Sequence, residues 1–189
     1  MKKIIFVVII LLGIGSISAL VKGIPRALRE DSQGSPDTAA AQSSVSDHGE
    51  LGIAYTAPEG WAKTDSSVSP RLYSWRNGEN GQVVIGVVIM RVPMGFRLLP
   101  NSGLEGFANE VSKAGLNKVS APADEAFGGY NWVKYKASND DESINIERYG
   151  LAEGINGHAA CLQFSWTSEA SPSDLSQIDK FKASILKLK

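Results

Sequence analysis

The sequence predicts an α+β fold, an antiparallel sheet carrying two main helices, and three observations lead there. The periodic segments run strands, helix, strands, helix, an order that suits α+β rather than a doubly wound parallel sheet. Tyr130 to Ala137, Ser143 to Leu151 and His158 to Thr167 alternate apolar with polar. Asn139-Asp140-Asp141-Glu142 and Gly154-Ile155-Asn156-Gly157 join them, which is the pattern of a meander. Gln82 to Val92 is β-branched and apolar at both parities, as in a central strand covered on both faces.

Ahead of the domain, Lys2 and Lys3 precede an uncharged apolar run from Ile4 to Val21 that ends at Lys22. At 1.5 Å per helical residue the run spans about 27 Å, enough to cross a bilayer's hydrocarbon core. Residues 1–22 are therefore expected to be a membrane-targeting helix, with two fates open. Ser16 and Ser18 suit cleavage before Ala19 as a secretory signal. The continuation through Leu20 and Val21 suits a retained anchor, with residues 4–21 in the membrane. Lys22, Arg26 and Arg29 blunt the charge asymmetry that sets orientation. Either way the expected location is the periplasmic or extracellular face.

Residues 23–49 are rich in Ser, Ala, Gln and Gly and lack apolar periodicity, so they are expected to form a disordered tether. The domain is expected over residues 50–189. Leu51 to Ala57 reads as a strand closed by Pro58, Glu59 and Gly60, after which Trp61 turns inward. Arg71 to Arg76 reads as a second strand, and Asn77 to Gly81 as a turn. Ser102-Gly103-Leu104-Glu105 has the spacing of a capping box. Leu104, Phe107 and Val111 follow at helical spacing, and Gly115 offers a left-handed end. A second helix starts at Ser171 and Pro172, with Leu175, Ile178, Phe181, Ile185 and Leu188 as its stripe and lysines near its end.

Four groups of residues together resemble the PsbP-like superfamily, which includes the DcrB-like bacterial envelope proteins. They are Tyr55-Thr56-Ala57-Pro58-Glu59-Gly60-Trp61, the capped helix from Ser102, Gly128-Gly129-Tyr130, and Ile178 to Ile185. The resemblance covers roughly residues 50 to 189. It implies an antiparallel sheet with helices packed on it and a binding or accessory role rather than catalysis.

Charge narrows the partners. Beyond residue 30 the chain holds 14 basic and 19 acidic side chains, which argues against nucleic-acid binding. Cys161 is the single cysteine, so the domain has no internal disulfide and no lipoprotein cysteine. His158 and Cys161 are three apart in a strand and face opposite ways, which argues against a dyad between them. Asn139 to Glu142 lacks the spacing of a calcium loop. No metal-binding, nucleophile-elbow or phosphate-loop motif occurs in the folded part, so no catalytic, cofactor or metal residue is expected.

The segment from Val92 to Pro100 stands out because it is apolar where loops are polar. Met94, Phe96, Leu98 and Leu99 are the candidate partner-binding residues, against the alternative that they cap one end of the core. Trp132 joins them because it shares a strand face with Lys134 and Lys136 and is expected to be partly exposed. The expected function is an exported, non-catalytic module that binds an envelope protein. The alternatives are an envelope hydrolase whose site is not visible in sequence, or a chaperone- or immunity-like protein shielding a hydrophobic segment of a partner.

Overall fold

A computed structural model describes residues 45–48, 51–66, 71–77 and 81–187. The expected membrane segment and most of the tether lie outside these residues. The elements in order are β1 (Val45–His48), β2 (Ile53–Thr56), β3 (Ala62–Ser66), β4 (Arg71–Arg76), β5 (Val83–Arg91), α1 (Pro100–Ser112), β6 (Lys118–Val119), β7 (Ala123–Phe127), β8 (Tyr130–Ser138), β9 (Ile144–Leu151), β10 (His158–Thr167), α2 (Pro172–Ser184) and β11 (Leu186–Lys187).

An eight-stranded antiparallel sheet has the order β3-β4-β5-β10-β9-β8-β6. β7 pairs with β8 beside β6, so two short strands share one long edge. β5 is central and buries every residue from Val83 to Ile89, as its double-parity pattern predicts. β8, β9 and β10 form the expected meander, with Trp132 opposite Leu151 and Phe164 opposite Glu147.

One face of this sheet carries α2 and the small sheet β1-β2-β11. Its core is aromatic: Tyr55, Trp75 and Phe181 meet with ring centroids 5.2 to 5.8 Å apart. Such tilted and edge-on contacts add stability beyond the area they bury. Ser171 caps α2 by accepting from the Asp174 amide at 3.1 Å, and Pro172 follows in the first turn, as expected. The opposite face carries α1, whose Phe107 and Val111 pack on Val133, Tyr135 and Ile146.

Four features differ from the sequence reading. α1 starts three residues earlier, with Leu99 rather than Ser102 at the cap position and no side-chain cap. Pro100 explains this, since its fixed φ and missing N–H suit the first turn. Ser102 therefore sits inside the helix. β1 lies within the stretch expected to be a tether, because residues 45–48 find a ladder partner along β2. β3, β6 and β7 are short and carry little alternation, and their edge pairings supply what the pattern lacks. Finally, α2 stops at Ser184, where Ile185 turns extended and Leu186 pairs with β2.

Candidate functional site: the cleft beneath the 92–99 loop

The loop from Val92 to Leu99 is fixed by its backbone rather than left free. The Val92 amide donates to Gly157 O at 2.8 Å, Leu98 to Ala152 O at 2.9 Å, and Gly154 to Phe96 O at 2.9 Å. Arg97 adds a surface ion pair to Glu153 at 3.3 Å, worth little by itself. Gly95 turns the loop at φ +76°, a conformation that favours glycine.

Leu98 is the loop's structural anchor. Its side chain lies over Gly150 of β9 and Gly103 of α1. A Cβ at Gly150 would fall 2.4 Å from a Leu98 methyl, and one at Gly103 would run into the Tyr135 hydroxyl. Two missing side chains thus make the seat for one leucine.

Between the loop, α1 and the sheet lies a cleft of about 90 Å³. Phe96, Leu98, Met90 and Phe107 give it apolar walls, and Arg91, Arg148, Cys161 and Tyr135 are its polar residues. Arg148 in β9 donates twice to Glu110 of α1, at 2.7 and 2.8 Å, and also to Gln163 of β10 at 2.5 and 3.0 Å. All three are buried. The guanidinium stacks on Phe107 at 5.0 Å, a cation–π contact. Burial works against the charge on Arg148, but the Glu110 bonds outweigh it and raise its pKa.

The cleft's thiol and phenol are both held in their protonated forms. Burial pushes the Cys161 thiol up to about 11, only partly offset by Arg148, so at neutral pH it is a protonated and poor nucleophile. His158 cannot serve as its base, because it lies on the other parity of β10 and its Nδ1 sits 3.0 Å from Asn156 O. Burial also raises Tyr135, to about 12, and its hydroxyl donates to Pro100 O at 3.3 Å. Among the described residues no group of three or more His, Cys, Asp or Glu side chains could hold a metal.

The candidate residues divide into three sets. Phe96 and Leu98 are half-buried and line the cleft, whereas Met94 and Leu99 are 80% and 61% exposed beside it. Trp132 is a correction: it is fully buried and on the opposite face of the sheet. It does share that face with Lys134 and Lys136, but its end of β8 is covered. Phe127 stacks on it at 5.0 Å and accepts its indole N–H at 3.2 Å. The Asn139 to Glu142 segment is a hairpin tip, where the Asp141 carboxylate accepts from the Ser143 amide at 3.0 Å.

Sequence reading missed Glu110, Arg148 and Gln163. A signal existed for two of them. Glu110 interrupts the apolar stripe of α1 between Phe107 and Val111, and Arg148 stands at the inward parity of β9 two residues after Ile146. Opposite charges on two inward faces are a reason to expect a pair.

No protein family matches the chain by sequence, and no curated protein does. Among solved structures, the solution structure of cyanobacterial PsbP (CyanoP) from Synechocystis sp. PCC 6803 is similar with a TM-score of 0.53 and 17% identity. The match covers 81% of this chain and 97% of that one. A protein of Bacteroides thetaiotaomicron VPI-5482 aligns with a TM-score of 0.43 and 10% identity, over 72% of this chain and 45% of that one. With the antiparallel sheet, its two helices and this coverage, the fold of the chain is PsbP-like.

Proposed function

We propose that this protein is an exported, non-catalytic binding module of the bacterial cell envelope, and that the cleft under the 92–99 loop receives an aliphatic side chain of a protein partner. The observation that carries the reading is the pairing of a small apolar cleft with exposed Met94 and Leu99 at its margin. At about 90 Å³ the cleft is smaller than the cavity of about 150 Å³ that takes up benzene, so a leucine or isoleucine suits it better than a ring. Adaptable Met94 and flat Leu99 then extend the contact outside. The charged base gives neither a nucleophile nor a free base, which favours binding over hydrolysis. Export rests on Lys2, Lys3 and the apolar run 4–21.

The test is affinity capture from a detergent-solubilised envelope, using the full chain and a Met94→Ser, Leu99→Ser double variant. A partner held by the first and lost by the second supports the proposal, and equal capture by both removes this cleft from it. For export, a reporter active only outside the cytoplasm, fused after Glu50, should give signal. Activity of an intracellular-only reporter at that position would reverse the assignment.

A further inference from the structure

A second concavity lies on the other face of the eight-stranded sheet, where β6, β8, β9 and β10 run past the part covered by α2. Two cross-strand rows form its floor. Trp166 pairs with Asn145, Asn145 with Ser138, and Ser138 with Lys118. Next to them Glu147 pairs with Lys136, and the Ser120 amide donates to Lys136 O at 3.0 Å. At about 4.8 Å per strand the first row extends roughly 14 Å across four strands. The groove holds about 610 Å³, the scale of a ligand site, and differs in kind from the cleft under the loop.

Its chemistry is polar, neutral and one-sidedly aromatic. Lys136 is held at 2.7 Å by Glu147, a carboxylate it shares with Lys134 at 3.3 Å, and Lys118 by Glu142 at 3.3 Å, so both lining cations already have a carboxylate partner. A polyanion gains little from such a surface, because its charges would have to compete with the carboxylates. Asn145 spends its amide N–H on Glu142 O at 2.9 Å, which leaves its carbonyl oxygen as an acceptor. Trp166 is half-buried against the aromatic core and lines the groove. Among the described residues neither its indole N–H nor the Ser138 hydroxyl has a hydrogen-bond partner.

We propose that this groove binds a neutral oligosaccharide. A polyhydroxylated chain needs donors and acceptors in alternation along its length, since each hydroxyl taken from water must be paired again. The ordered amide, hydroxyl and ion-pair groups supply them, and Trp166 offers the negative face of its ring to the weakly positive C–H face of a pyranose. The groove's balance of two lysines and two carboxylates matches an uncharged occupant.

The experiment is calorimetric titration of the full chain, held in phosphocholine micelles free of sugar headgroups, with cellohexaose, chitohexaose and maltohexaose. Saturable binding of at least one, weakened about tenfold or more by Trp166→Ala and measurably by Asn145→Ala, supports the proposal. Lys113→Ala, exposed and outside both pockets, should leave that affinity unchanged. If Trp166→Ala does not fold, Asn145→Ala and Ser138→Ala decide, and unchanged affinity in both overturns the site. Absence of binding by all three sugars up to about 10 mM overturns it as well. So does binding of a heparin hexasaccharide in their place.

Discussion

The two faces of the large sheet are closed in different ways. Under α2 the contact is apolar, with Trp75, Phe164, Phe181 and Tyr55 interlocked, and charges are kept to the margin around Tyr149. Under α1 a buried Arg148–Glu110–Gln163 group sits in the middle of the contact, and a cleft opens next to it. Aromatic packing is tolerant of small shifts, whereas a bidentate ion pair requires one helix position. Burial of such a pair costs desolvation that only good geometry offsets, so the pair is expected to fix α1 and the loop before it more than to add stability.

That contrast can be broken most forcefully at its two centres. Glu110→Ala should cost about 3 to 5 kcal/mol by leaving Arg148 charged and buried, and Phe181→Ala should cost about the same through its cavity. The two then part company. Adding Arg148→Met to a Glu110→Met background should return most of the loss, as apolar replacement of a buried pair often does. No apolar partner change should rescue Phe181→Ala. Denaturant midpoints of the four variants test this, and failure of the double methionine variant to recover would show that the pair itself stabilises.

Phe96→Ala comes next in size. A half-buried ring loses less than a fully buried one, so the expected cost is roughly 1 to 2 kcal/mol. A cost of 3 kcal/mol or more, about that of a core phenylalanine, would make the loop a plain core cap.

Acid should weaken the α2 face. Burial raises the Glu147 carboxyl, but hydrogen bonds from Lys136 and Tyr149 and the charges of Lys134 and Lys136 outweigh it and hold it below its ordinary 4.5. Burial likewise raises Glu125, and the bond and charge of Lys182, with Lys134, bring it below the ordinary value. Folded-state values below the unfolded ones mean that this stability is fully present above about pH 4.5 and is lost as pH falls through the folded values. Glu147→Gln should therefore flatten the fall in melting temperature below pH 4.5, and an unchanged acid limb would exclude this carboxyl as its source.

The smallest effect on stability belongs to Met94→Ser, expected within about 0.5 kcal/mol because the side chain is 80% exposed. Partner capture should nonetheless weaken. A large drop in midpoint would mean that Met94 packs in solution, and the loop would then resemble the α2 face more than a binding margin.

Much of this architecture was legible in the residues themselves. Double-parity burial placed β5 at the centre, alternation gave β8, β9 and β10, and Ser171-Pro172 marked the start of α2, because each signal is local and repeats over a whole element. The apolar loop was also legible, as was the wrong facing of His158 and Cys161. Short β6 and β7 were not, since two to five residues carry too little periodicity and depend on an edge already present. Trp132 shows the limit well: alternation assigned its face, but only the packing of Phe127 and the small sheet could bury that end of it. The Arg148–Glu110–Gln163 group joins a helix and two strands 38 and 15 positions apart from the arginine. A side chain's face follows from local period, whereas its partner follows from how elements distant in sequence are brought together, and that was decided by tertiary packing alone.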